Sequence, residues 1–199
     1  YISNNPDGCY KIINSPYYLN FKHFLNPNNR RISLKTSIAT RDLILQISNT
    51  CNAFSCPNFN YLQQSFYLDK LYEFPLPEQK KIISFTKRMI KQFKFSCNIS
   101  SIIQVGPLLT HFDQEIVEDC LHIISECIIP APSQILITID PHFARQIATA
   151  LTVTTDFKNI QVLICALSKF CKTSYEYAEE LVKLPIDFET IFGRLPTDY

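Results

Sequence analysis

One helix is written twice in this chain, with the same apolar positions and the same break behind it. Setting Asp113 to Ile128 over Asp156 to Cys171, an offset of 43, puts Val117 on Ile160, Cys120 on Leu163, Leu121 on Ile164, Ile124 on Leu167, Ser125 on Ser168 and Cys127 on Phe170. Spacings of three and four residues place such positions along one helical stripe. A fainter third copy, Glu78 to Phe93, fits 35 residues upstream of the first, with Ile82, Phe85, Met89 and Phe93 falling on Val117, Cys120, Ile124 and Ile128. A period in this range narrows the fold sharply. No single unit can bury its apolar face alone, whereas stacked neighbours share one core, so an all-α solenoid is expected.

The chain can afford such a core. Its 199 residues suffice to bury well over half of the unfolded surface, and 46% hydrophobic against 19% charged residues is a globular balance. Only 3 Gly occur, which leaves no room for a glycine-rich phosphate loop or a dinucleotide fingerprint. No nucleotide cofactor is expected. Of the eight cysteines, Cys120, Cys127, Cys165 and Cys171 lie on the repeated helices; they read as packed thiols of a reducing compartment, cytoplasmic or nuclear. No apolar run approaches the ~20 residues of a membrane helix, so no membrane insertion is expected. The first residues, Tyr1-Ile2-Ser3-Asn4-Asn5, lack an initiating Met and a signal-peptide layout, so the chain reads as part of a longer array.

Charge is distributed unevenly. Residues 1–99 hold 13 Lys+Arg against 5 Asp+Glu, a net +8, and residues 100–199 hold 6 against 13, a net −7. In a solenoid, sequence order is spatial order, so a charge dipole along the long axis is expected, with an acidic partner a candidate for the first half.

Residues 1–40 carry Pro6, Pro16 and Pro27 and read as an irregular cap or arm, in which Asn5-Pro6-Asp7-Gly8 signals a turn and Cys9 to Ile13 can pair as a hairpin strand. Residues 41–199 read as the solenoid. Leu43, Ile44, Ile47 and Cys51 form one stripe, and Leu62, Phe66, Leu68 and Leu71 another. Val105-Gly106-Pro107, Asp140-Pro141 and Leu184-Pro185 interrupt apolar runs, each proline being suited to the first turn of a helix. Asp113, Asp140 and Asp156 sit where N-caps belong, and Thr173 with Glu176 makes a capping box.

A three-helix unit of this length, with a break of the Val105-Gly106-Pro107 kind and a long striped third helix, resembles the armadillo repeat. The best stretches are Ser100 to Ile128, Gln134 to Cys171 and the opening of a further unit at Tyr175 to Leu184, about half the chain. The related HEAT repeat shares much of the pattern. The resemblance implies a right-handed superhelix whose third helices line a concave groove for extended peptides or partner domains. Armadillo proteins of the importin-alpha kind hold a basic peptide with a Trp and, four residues later, an Asn on each third helix. Here those places fall on His122 and Glu126 in one unit and on Cys165 and Lys169 in the next, and the chain contains no Trp. Binding of a nuclear-localisation peptide is therefore disfavoured, while a protein-binding adaptor with its own groove chemistry is expected.

Three other constellations compete with the groove. Lys80, Lys87, Lys91 and Lys94 fall close together around the helix from Glu78, with Lys81 and Arg88 beside them, and offer a docking face for an acidic filament surface or, less favoured, nucleic acid. The plainer alternative is the solvated side of an amphipathic helix. Cys51 and Cys56, with Cys9 and His23, are spaced poorly for zinc, and packed thiols explain them better, so no metal is expected. His111, Asp113, His122 and Glu126 lie close in sequence, yet without a nucleophile or a third ligand a polar groove pair explains them better than catalysis does, and His142 in a first helical turn is read likewise.

Overall fold

The computed structural model describes residues 5–25, 31–50, 68, 71–93 and 99–193. Among them every regular element is helical and none is a strand, in keeping with an all-α class. The chain packs as two units, Tyr1–Phe85 and Thr86–Tyr199.

In the first unit, α1 (Pro6–Ile13) begins at Asn5, whose side chain accepts the Asp7 amide hydrogen while Pro6 fills the first turn. The hairpin expected here does not form. Asn-Pro-Asp is as good a helix start as a turn, because the amide that proline lacks has no intrahelical partner in that position anyway. A 3-10 turn, Tyr18–Asn20, leads into α2 (Phe21–Leu25), and α3 (Leu34–Thr50) packs on both helices and runs across residue 40, where the cap was expected to end. Cys9, Ile13, Tyr18, Ile44, Ile47, Leu71 and Phe74 form the core, with the Arg41 guanidinium buried 4.4 Å above the Phe74 ring. The expected stripe through Leu62 and Phe66, together with Cys51 and Cys56, lies outside the described residues.

Helix α4 (Leu76–Phe93) carries the boundary between the units. Beyond it come α5 (Ile99–Ile102), a long 3-10 helix (Ile103–Thr110), α6 (Gln114–Cys127), α7 (Ser133–Leu136), α8 (Pro141–Val153), α9 (Phe157–Thr173), α10 (Tyr175–Val182) and α11 (Phe188–Gly193). Val105-Gly106-Pro107 does not separate two helices but lies inside the 3-10 segment, where Gly106 allows the close approach of α8: an added Cβ would fall 1.9 Å from Gln146 Oε1. Pro141 opens α8 as expected, whereas Pro185 lies in the stretch between α10 and α11.

Packing in the second unit is sequential. The 3-10 helix packs on α6 and α8, α8 on α9 and α10, and α9 on α6 and α10. The side chains the repeat predicts do the burying: Val117, Cys120 and Ile124 from α6, and Ile160, Leu163 and Leu167 from α9. Full burial of an Ile, Leu or Val side chain contributes about 1.5–3 kcal/mol, so these stripes outweigh the propensities of their β-branched residues. Asp113, Asp140 and Asp156 cap α6, α8 and α9, each accepting a first-turn amide hydrogen. At α10 the cap is Ser174 rather than Thr173, whose hydroxyl instead donates back to the Lys169 carbonyl. Tyr177 on α10 donates toward the carbonyls of Leu136 and Ile139, and its ring packs 5.0 Å from Phe170.

Candidate protein-binding face

Helix α6 is packed on most of its circumference. Ile116, Val117, Asp119, Cys120, Leu121, Ile123 and Ile124 are all buried; Gln114 and Cys127 at the helix ends apart, what lies outside the core is one strip, with Glu115, Glu118 and Glu126 exposed and His122 and Ser125 half-buried. On α9 the corresponding strip is Lys158, Gln161, Cys165 and Ser168, with Lys169 half-buried at its edge. The groove candidates His122, Glu126, Cys165 and Lys169 thus lie on two helices that pack together, and none is consumed by the core.

Asp119 was not legible as a site residue, yet it organises one edge of this face. It is 5% exposed, and its carboxylate lies 2.5 Å from Lys87 Nζ on α4. A buried carboxylate without a partner would carry a desolvation cost of several kcal/mol, so the pair holds Lys87 against α6. The signal was present in the sequence: Asp119 falls three residues after Ile116 and four before Ile123, inside the apolar arc, where a charge demands a partner.

His122, one turn after Asp119, has its Nε2 sealed from solvent and meeting no hydrogen-bond partner among the described residues. Its basicity is lowered, first by burial and then by the charges of Lys87 and Lys91, against the opposing pull of Glu126 and Asp119. Lys87, which the sequence kept apart from this strip, thus reaches α6 at Asp119, one turn before His122.

The rest of the basic stripe is less free than its sequence implies. Lys81 hydrogen-bonds Glu78 at 3.0 Å and Asp42 at 3.2 Å, which raises its pKa. Lys80 and Arg88 are half-buried and engaged within the fold, while Lys94 lies outside the described residues. Lys91 is exposed and makes no ion pair among the described residues.

Two concavities lie elsewhere in the unit. A cleft of about 410 Å³ is bordered by Asp140, His142, Arg145, Glu176, Glu179 and Glu180. Part of its acidic charge is answered: Arg145 pairs with Glu180, and Lys183 lies 2.9 Å from Glu180 and 3.5 Å from Glu179. Those hydrogen bonds, from Lys183 first and then Arg145, lower the Glu180 pKa. A smaller pocket of about 220 Å³ includes His111, whose Nδ1 accepts the Asp113 amide hydrogen in a local turn. Among the described residues no group of three His, Cys, Asp or Glu side chains is arranged to hold a metal ion, and no helix is long and apolar enough to cross a membrane. No protein-family model, curated protein or solved structure matches the chain.

Proposed function

We propose that this chain is a protein-binding adaptor, an armadillo-like solenoid without catalytic activity, which grips its partner on the face formed by α6 and α9. One observation carries this: the burial pattern recurs at an offset of 43, with Val117 and Ile160, Cys120 and Leu163, and Ile124 and Leu167 all buried, and leaves polar His122, Glu126, Cys165 and Lys169 outside the core at equivalent places. In stacked units such equivalent positions form a ladder along one surface, and buried anchors ringed by polar groups supply most of the energy when such a surface binds. The enclosed Cys120 thiol supports a reducing compartment, cytoplasm or nucleus.

Replacing His122, Glu126 and Lys169 together with Ala tests the assignment. Capture of the partner from extracts of the native cell should fall at least tenfold while the helical circular dichroism is kept. Undiminished capture overturns it. Polyanion binding through Lys80, Lys87, Arg88, Lys91 and Lys94 has weaker support, since Lys87 is already committed to Asp119, and it predicts a steep loss of affinity with added salt.

A further inference from the structure

We propose that Ser33 is a phosphorylation site, the target of a protein kinase that selects its serine by the arginines before it, and that the phosphate firms the start of α3. The preceding residues are Arg30, Arg31 and Ile32, and no other Ser or Thr of the chain has arginine both three and two positions ahead of it. Residues 8–41 hold six Lys and Arg and no Asp or Glu. No neighbouring acid in the sequence therefore competes with the carboxylates by which such a kinase holds arginine. Ser33 and Arg31 are exposed, and both precede Leu34, the first residue of α3. Ser33 caps this helix: its Oγ accepts the Thr36 amide hydrogen at 3.1 Å and lies 2.8 Å from the Thr36 hydroxyl, and its carbonyl accepts the Ser37 amide hydrogen at 3.1 Å. These bonds belong to one terminal turn, which opens at little cost and lets a kinase take the hydroxyl.

In the transfer, Ser33 Oγ attacks the γ-phosphorus of ATP. The new O–P bond forms as the bond to the β,γ-bridging oxygen breaks, ADP leaves with that electron pair, and the hydroxyl proton passes to the catalytic carboxylate of the kinase. The product suits its place. A phosphate brings a charge of about −1.5 to −2 to a helix whose first turn contains no acid, between Arg31 and the exposed Lys35. Its oxygens can accept the amide hydrogens of that turn in place of the hydroxyl. Because α3 carries Arg41, Ile44 and Ile47 into the core of the first unit, a firmer start stabilises that unit. The inference is independent of the adaptor reading, which concerns α6 and α9 in the second unit.

The full chain, incubated with ATP and the catalytic subunit of an arginine-directed kinase, tests this, with the phosphate located by mass spectrometry. Ser33 should be modified, and the chain purified from its native cell under phosphatase inhibitors should carry the same phosphopeptide. Ser33→Asn keeps a capping side chain but no hydroxyl, so it should fold normally and take up no phosphate at that position. Arg30→Gln with Arg31→Gln, at unchanged circular dichroism, should slow the transfer at least tenfold. The phosphorylated chain should melt about 2–4 °C above the unmodified one. An unmodified Ser33 in both preparations, an undiminished rate in the arginine variant, an equal rate with an acid-directed kinase, or transfer only after heat unfolding overturns the proposal. So does a phosphorylated chain that melts no higher.

Discussion

Lys87 and Asp119, 32 residues apart, form an ion pair in which the acid is buried and the base is one-third exposed. The asymmetry makes the two partners unequal. Lys87→Ala leaves a carboxylate in the core and should cost about 3 kcal/mol, while Asp119→Asn, which keeps a hydrogen-bond acceptor, should cost about 1 kcal/mol. The Lys87→Met/Asp119→Leu double variant should recover most of the loss. Urea unfolding of the three variants reads out the difference; equal costs for the single changes would show that burial of Asp119 is not what matters.

His122 sets a pH dependence whose sign follows from its lowered folded-state pKa. The unfolded chain takes up the proton first, near the ordinary value of about 6.5. Stability is therefore fully present above that pH, and is lost as pH falls from there through the lower folded value. The urea midpoint should drop between pH 7 and pH 5 by more in the native chain than in His122→Gln. Parallel profiles would assign the acid sensitivity to other groups.

Tyr177→Phe removes one hydroxyl and leaves the carbonyls of Leu136 and Ile139 without their shared donor, while the ring contact with Phe170 stays. The residue is 2% exposed, so no bulk water replaces the lost bond. A loss of about 1–3 kcal/mol is expected, seen as a lower Tm with unchanged helical content at 25 °C.

Thiol reactivity should follow exposure. Cys165 lies on the open strip of α9, Cys171 is half-buried with its pKa raised by burial, and Cys120 is enclosed, with burial first and Asp119 second pushing its pKa up strongly. Brief alkylation at pH 8 should label Cys165 well before Cys171 and leave Cys120 untouched until the chain unfolds, as mass spectrometry of the digested protein would show. Early labelling of Cys120 would mean that α6 opens in the native state.

What could be read from sequence was the part decided locally. The stripes of α6 and α9, and the caps Asp113, Asp140 and Asp156, depend on neighbours within a turn or two; the caps and most of the stripe are found where expected, while Cys127 and Ile164 are only half-buried. Where two local outcomes use the same residues, sequence could not choose: Asn5-Pro6-Asp7 serves a turn or a helix start, and Thr173 and Ser174 are both capable caps. The convergence of α4 on α6 was hidden for a different reason. Lys87 is ordinary on a solvated helix; only the buried Asp119 ties it to α6, through a contact that no periodicity encodes.

Because α6 is enclosed on nearly every side, very little of it is free to vary. Substitutions at Ile116, Cys120 or Ile123 disturb the core, whereas Glu115, Glu118, His122, Ser125 and Glu126 can change without opening it. An evolving lineage, or a designer seeking a new partner, would find nearly all the latitude of this helix in those few positions, so altered specificity should come as repeated changes along a single line of side chains.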